Sequence, residues 1–393
     1  MTSGTPRILM VAGEASGDLY GALLARELSG RRPGIRIGGV GGTRMEEEGI
    51  PLLAHSRDLA VVGLVEVLAH FGPIRAAFRR VVSQLRDDPP DLLVLIDYPD
   101  FNLRLAKEAR RRGVRVVYFI SPQVWAWRPS RVLQIGRTVD KILVILPFEE
   151  EIYRRAGVPV EFVGHPLLDI LPEPGALGPS RLRFNIPPGR RVVGLLPGSR
   201  RREIESHLPV MLEAAAELRR RIGDFLAVIP LASTLRRGDL DAYLGSTPGA
   251  PEVLVLDGPP GEVLNTMDAA MVKSGTATLE AGLMGVPMVV VYRTAPLTYL
   301  LASLLANVRQ VGLVNIVAGK ELAPELVQRR FTPERIVTAM EPILKDPARA
   351  EAIRRDLAVL RSRLGEPGCF RRSARAVLEV LDAAGARPSG GAP

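Results

Sequence analysis

Apolar residues along the chain fall into two alternating patterns. Ile8-Leu9-Met10-Val11-Ala12 is a short unbroken apolar run that stops at Gly13, and Leu19 to Leu28 then carries apolar side chains at helical spacing. The same unit recurs. Asp91 to Asp97 encloses a second apolar run and Phe101 to Arg112 reads as a basic amphipathic helix. Val114 to Ile120 and Lys141 to Leu146 read as further strands. Unbroken apolar strands separated by helices of about 10–15 residues predict parallel sheet covered on both faces.

Leu171-Pro172-Glu173-Pro174-Gly175-Ala176-Leu177-Gly178-Pro179 interrupts the pattern and reads as a linker. The alternation then restarts. Strands are predicted at Arg191–Leu196, Leu226–Ile229, Val253–Leu256, Ala269–Val272 and Met288–Val291, with a helix at Glu205–Arg221 and helical pattern from Pro333 onward. No short-period repeat is present. The fold class expected is α/β, with two doubly wound, Rossmann-like domains facing across a cleft. The expected division is an N-terminal domain at 1–171, a linker at 172–180 and a second domain at 181–365. At 366–393 a C-terminal helix, packing back on the first domain or on a partner subunit, runs into a disordered-looking tail.

Composition narrows the classes. The 393 residues are 47% hydrophobic, enough for substantial cores. The single cysteine, Cys369, excludes an intramolecular disulfide framework, and four histidines with no short-spaced pair argue against a His-rich metal site. The formal net charge is +9, and 47 of the 52 basic residues are arginine. That balance admits nucleic acid, anionic lipid or a phosphorylated small molecule, or is compositional bias on solvated faces. Met1 to Pro6 lacks the apolar core of a secretory signal, and no apolar run reaches the roughly 18 residues of a membrane span. The expectation is a cytoplasmic chain, with attachment to a membrane surface left open.

Several turns carry candidate chemistry. Gly13, Glu14, Ser16, Gly17 and Asp18 lie between the first strand and the first helix, where glycines let backbone approach a ligand. Neither this turn nor Gly38-Gly39-Val40-Gly41-Gly42 is GxGxxG, and Gly319-Lys320-Glu321 is not a P-loop. Nicotinamide and P-loop nucleotide chemistry therefore lose support. Asp97 follows an apolar strand, a suitable place for a general base, although taken alone it reads equally as a turn or cap residue; Asp100 could cap the next helix. Trp125, Trp127 and Arg128 share one loop, where the rings either wall a sugar or acyl pocket or plug the core. Gly198, Ser199 and Arg200 open the second domain with donors suited to a diphosphate. Ser274, Gly275 and Thr276 form a small polar helix start, with Glu280 one turn on; a carboxylate there can accept two ribose hydroxyls. The segment Asp58 to Leu85 places Leu64, Leu68, Phe71, Ile74 and Phe78 at helical spacing beside Arg75 and Arg79, with Gly72-Pro73 expected to break or kink it. It reads as core packing or as a basic amphipathic surface for anionic membrane.

Together these stretches resemble lipid-A-disaccharide synthase, a bacterial GT-B glycosyltransferase family. The resemblance runs from Val11 to about Leu381 and rests on Val11-Ala12-Gly13-Glu14 with Ser16-Gly17-Asp18, on Asp97 with Pro99-Asp100-Phe101-Asn102, and on Val124-Trp125-Ala126-Trp127-Arg128. Ser121-Pro122, Leu146-Pro147-Phe148-Glu149, Gly164-His165, Leu195-Leu196-Pro197-Gly198-Ser199-Arg200, Ser274-Gly275-Thr276-Ala277 with Leu279-Glu280, and Asn315 with Ala318-Gly319 and Glu321-Leu322 complete it.

The resemblance implies transfer of 2,3-diacylglucosamine from UDP to 2,3-diacylglucosamine 1-phosphate, with inversion, giving a β-1,6-linked disaccharide 1-phosphate and UDP. It implies Asp97 as base with Asp100 as alternate. Gly198, Ser199, Arg200, Ser274, Gly275, Thr276, Glu280 and Asn315 fall around UDP. Gly13, Glu14, Ser16, Gly17, Asp18, Trp125, Trp127 and Arg128 fall on the acceptor side. Leu64, Leu68, Phe71, Ile74, Arg75, Phe78 and Arg79 would meet the anionic inner-membrane surface from its cytoplasmic side. No cofactor, metal or nucleic acid is implied, and a second copy of the chain is an admissible partner. Lys273 and the run Arg200-Arg201-Arg202 are more basic than the resemblance leads one to expect. Two other classes compete: a GT-B enzyme on UDP-N-acetylglucosamine, including non-hydrolysing 2-epimerases, and a non-catalytic binder of polyanions supported by charge alone.

Overall fold

A computed structural model describes residues 5–59, 64–122, 131–295, 299 and 310–385, and in it the apolar runs form the strands of two parallel sheets. The chain divides into two compact units, Met1–Asp169 with Glu366–Pro393 and Ile170–Gly365.

The first unit holds seven strands: β1 (Arg7–Ala12), β2 (Arg36–Gly41), β3 (Leu52–His55), β4 (Leu92–Ile96), β5 (Arg115–Phe119), β6 (Lys141–Val144) and β7 (Val160–Phe162), in the order β3-β2-β1-β4-β5-β6-β7. All five residues of β4 are buried, because parallel strands are covered on both faces. One face carries Leu9, Val11, Leu93, Leu95, Val116 and Tyr118 against the helices Leu64–Asp87 and Pro99–Arg111. The helices Ala15–Arg31 and Cys369–Gly385 pack together, with Tyr20 and Phe119 both against Phe370 at ring centroids 6.1 and 6.3 Å apart. The C-terminal helix is tied down further by Arg32–Asp382, Lys141–Glu379 and Arg375–Glu161 ion pairs.

The second unit holds β8 (Val192–Leu196), β9 (Leu226–Pro230), β10 (Glu252–Leu256), β11 (Ala269–Lys273), β12 (Met288–Tyr292) and β13 (Glu325–Val327), in the order β10-β9-β8-β11-β12-β13. Alternate strand residues (Val193 and Leu195, Ala227 and Ile229, Ala269 and Met271, Val289 and Val291) share one core with the helices Arg201–Ile222 and Pro333–Lys345. The Pro/Gly-rich stretch after Leu171 is bound to this unit. Asn265 donates to the Ala176 carbonyl at 3.1 Å, Arg361 pairs with Glu173 at 2.8 Å, and Leu177–Arg183 is helical.

One expectation for Asp58–Leu85 changes. The helix Leu64–Asp87 runs on through Pro73 instead of breaking there. Proline in a helix interior costs about 3 kcal/mol, and here the following turns bury Ala77, Val81 and Leu85 completely or nearly so. Ile74 and Phe78 pack against the core, Phe78 edge-on to Phe101 at 5.4 Å, and both stay partly exposed. Arg75 and Arg79 lie on the exposed face; the side chains of Leu64, Leu68 and Phe71 are outside the described set. Among the described residues, no helix is long and apolar enough to cross a membrane.

Candidate functional site

In each sheet the strand order reverses direction once: between β1 and β4 in the first unit, and between β8 and β11 in the second. At such switch points the loops leaving the strands diverge and leave a crevice beyond their carboxyl ends, where open α/β sheets bind ligands. The candidate turns sit at these two places.

In the first unit, Gly13 follows β1 and Asp97 follows β4, and Ala12 and Ile96 are paired neighbours. Asp97 and Tyr98 both take left-handed backbone, at φ +47° and +48°, and Ile120 after β5 does so at +61°. Non-glycine residues in that region cost of order 1–3 kcal/mol each and persist only where the surroundings hold them. They are held here. The Asp97 carbonyl accepts from the Tyr118 hydroxyl at 2.7 Å and from Asn102 Nδ2 at 2.7 Å, while the Asp97 N–H donates to Phe119 O at 3.1 Å. The Tyr98 hydroxyl donates to Leu59 O at 2.9 Å, and its ring covers Gly13, where any Cβ would collide with it. Burial, then the charges of Glu14 and Asp100, raise the Tyr98 hydroxyl above its ordinary pKa. Glu14 and Asp97 are half-buried, whereas Asp100 is 86% exposed with Arg131 3.7 Å away.

The other first-unit residues divide. Ser16 is exposed and Gly17 is buried against Ala12 and Ile96. Asp18 is buried, and its carboxylate accepts backbone N–H groups of Gly42 (2.6 Å), Arg44 (3.0 Å) and Met45 (3.1 Å). It thus caps the short helix Thr43–Glu47 and locks the turn after β2, a positioning role. Trp125, Trp127 and Arg128 lie outside the described residues.

In the second unit, Gly198-Ser199-Arg200 follows β8 and Ser274-Gly275-Thr276 follows β11. Gly198 has φ +122°, and a Cβ there would strike the Glu203 carboxylate. That carboxylate accepts the Ser199 N–H at 2.9 Å and pairs with Lys273 at 2.7 Å, so one side chain ties both turns together. Burial alone would raise Glu203; the charge and hydrogen bond of Lys273 outweigh it and hold the carboxyl below its usual range. Behind it, His207 is buried. Its Nδ1 donates to Glu203 O at 2.9 Å and its Nε2 accepts the Arg293 N–H at 3.0 Å, which fixes one neutral tautomer. Burial lowers its pKa to about 4.

Glu280 lies one turn into the helix Thr276–Leu283. Its backbone carbonyl accepts the Met284 N–H at 3.0 Å, and burial pushes its carboxyl up to about 7. Asn315 is fully buried. It donates to Ala323 O and Glu325 at 2.8 Å each and accepts the Leu322 and Ala323 N–H groups at 2.7 and 3.0 Å. Glu325 accepts the Val311 and Gly312 N–H groups at 2.9 Å, and Ser274 donates to Val311 O at 2.7 Å. Asn315 thus shapes the loop beside Ser274 with its own polar atoms already engaged, and can line a ligand only through that loop.

Sequence reasoning did not single out Tyr118, Asn102, Glu203, His207 or Glu325 as site residues. Two carried a signal: Asn102, which closes the Asp97 stretch of the resemblance, and Glu203, an acidic residue in the first turn of a helix that follows a Gly-Ser turn. Among the described residues, no group of three or more His, Cys, Asp or Glu could hold a metal ion.

The family model described as lipid-A-disaccharide synthetase matches residues 8–380. A lipid-A-disaccharide synthase of Geobacter sulfurreducens is 49% identical over 382 residues, covering 97% of this chain and 99% of its own. Among solved structures, a UDP-GlcNAc 2-epimerase of Neisseria meningitidis bound to UDP-GlcNAc superposes with TM-score 0.64 at 14% identity, over 95% of this chain and 100% of that one. A calicheamicin glycosyltransferase gives TM-score 0.59 at 19% identity, over 98% and 100%. At those identities the structures establish fold alone, two Rossmann-like units of the GT-B class.

Proposed function

The chain belongs to the lipid-A-disaccharide synthase family, and from that premise we propose the reaction and the role of each residue. The enzyme joins UDP-2,3-diacylglucosamine to 2,3-diacylglucosamine 1-phosphate. The acceptor 6-hydroxyl attacks the anomeric carbon of the donor from the face opposite UDP. The C1–O bond to the diphosphate breaks as the new C1–O bond forms, UDP leaves with that electron pair, and the α-linked donor gives a β-1,6 product.

Asp97 takes the 6-hydroxyl proton. The observation that carries this role is the pair of left-handed residues Asp97 and Tyr98 at the β1/β4 switch point, with the Asp97 backbone pinned by Tyr118 and Asn102. A base whose backbone is fixed before substrate arrives has less freedom to lose on reaching the transition state. Glu14 and Gly13 shape the acceptor side of the same crevice, with Asp18 holding the adjoining turn. In the second unit, the N–H groups of the turn Gly198-Ser199, Arg200 and the helix start Ser274-Gly275-Thr276 oppose the negative charge that builds on UDP. Glu280 receives the ribose hydroxyls, and Asn315 acts through the loop it braces.

The donor and acceptor are lipids, so the enzyme works at the cytoplasmic face of the inner membrane. The exposed arginines Arg75 and Arg79 supply contact with anionic headgroups, each worth about 1 kcal/mol near such a surface. Replacing both by serine is expected to weaken binding to vesicles of anionic phosphatidylglycerol by about tenfold or more, with the difference vanishing at high salt. Binding equal to the parent protein's at low salt would remove this surface from the account.

The reaction itself is tested by UDP release. Release is expected only when both UDP-2,3-diacylglucosamine and the 1-phosphate acceptor are present. Release without acceptor, or none with it, contradicts the assignment.

A further inference from the structure

Lys273 stands at the end of β11, immediately before Ser274-Gly275-Thr276, and its ammonium reaches across the β8/β11 switch point to Glu203 at 2.7 Å. Resting on the nucleotide reading of that crevice, we infer that Lys273 is a further diphosphate-binding cation and that Glu203 is the residue that positions it.

Three features of the geometry support this beyond an ordinary ion pair. The first is placement: the two side chains are only 16% and 17% exposed, yet they lie at the carboxyl end of the sheet, between the two turns that would flank a diphosphate. The second is the open side of the ammonium. A Cβ built on Gly275 would lie 4.0 Å from Lys273 Nζ, and Tyr292 offers its ring face at 5.6 Å, which leaves the Gly275 side without a bulky neighbour. The third is the way Glu203 gathers the donors of both turns. The single Glu203 carboxylate accepts the Ser199 N–H through Oε2 at 2.9 Å and takes Lys273 on Oε1, with Arg200 Nη1 3.8 Å from the same oxygen. Both cations thus share one carboxylate at the carboxyl end of the sheet, where a diphosphate would arrive. An ammonium has three donors. Glu203 uses one, and the pair need not break for Lys273 to meet a phosphate oxygen.

The test measures binding of UDP and of uridine, which lacks the diphosphate, by calorimetry. It uses the full chain and the variants Lys273→Gln and Lys273→Arg, with each melting temperature recorded. Gln removes the charge while keeping an N–H donor on a slightly shorter side chain. One charged contact to phosphate predicts that Lys273→Gln weakens UDP about 10- to 100-fold, with uridine within about twofold of the parent protein. Lys273→Arg should recover most of the loss, because it restores the charge. UDP affinity unchanged in Lys273→Gln, or uridine and UDP weakened equally, would overturn the inference and leave Lys273 a structural partner of Glu203. If the parent protein binds neither UDP nor uridine, the nucleotide reading itself fails and takes this inference with it. If the parent binds both and only the variant prediction fails, the nucleotide reading stands.

Discussion

Asp97→Asn is expected to lower kcat by about 10²-fold or more, the usual contribution of a positioned general base, with little change in KM or melting temperature. Asparagine is the appropriate replacement. Asp97 sits at φ +47°, a backbone region that Asn and Asp tolerate better than other side chains. Alanine would add a backbone cost of about 1 kcal/mol to the chemical loss, so that a slow Asp97→Ala variant could be slow for either reason. The backbone bonds from Tyr118 and Asn102 go to the Asp97 carbonyl and survive the change. Asp100→Asn serves as the comparison: that side chain is 86% exposed beside Arg131, and its loss should leave kcat within about threefold. Near-parent activity in Asp97→Asn together with a large loss in Asp100→Asn would move the base to Asp100.

Uridine affinity should strengthen as pH rises through about 7 and level off above it. The Glu280 carboxyl is pushed up to about 7 by burial. Ribose hydroxyls donate to it, so they bind its ionised form and pull that pKa down. Linkage then requires affinity to rise with pH while Glu280 sheds its proton, by about tenfold between pH 6 and pH 8. Uridine is the right probe because it has no phosphate titrating in this range. Glu280→Gln should weaken uridine roughly tenfold or more at pH 8 and flatten the pH profile. The same residue costs stability in the unliganded protein. Its folded pKa lies above the unfolded value, so the stability it contributes is complete below about pH 4.5 and is lost as pH rises through about 7. Allowing for its residual exposure, that loss is about 1–3 kcal/mol. Glu280→Gln should therefore melt higher than the parent at pH 8 and at a similar temperature at pH 4.5. A parent profile that is flat in pH, or a variant that binds uridine normally, removes Glu280 from the ribose.

Much of the sheet architecture is readable in the chain because its central strands, such as Leu92–Ile96 and Val192–Leu196, are unbroken apolar runs buried on both faces. The strands that escape such reading are the poor formers and the short edges. β2 is Arg-Ile-Gly-Gly-Val-Gly, which has low strand propensity, and β7 and β13 have three residues each. Helix continuity through Pro73 is a tertiary effect: a local rule is overridden by the buried face of Ala77, Val81 and Leu85. The motif turns are equally readable, since strand–Gly–helix punctuation survives in one dimension. What joins them is not. Glu203 with Lys273 is 70 residues apart in sequence, and Tyr118 with the Asp97 carbonyl 21 apart. Such pairs form only because parallel strands return to the same sheet edge. Asp18 adds a role that its motif position does not announce: its carboxylate accepts three backbone N–H groups from the turn after β2.

The most direct test is the structure of the product. The protein, incubated with UDP-2,3-diacylglucosamine and 2,3-diacylglucosamine 1-phosphate, should form one disaccharide 1-phosphate per UDP released. Proton NMR of that product should show the large anomeric coupling of a β linkage, to position 6 of the acceptor sugar. An α linkage would contradict single-displacement inversion. Formation of an epimer from UDP-N-acetylglucosamine alone, with no disaccharide from the lipid substrates, would contradict the synthase assignment.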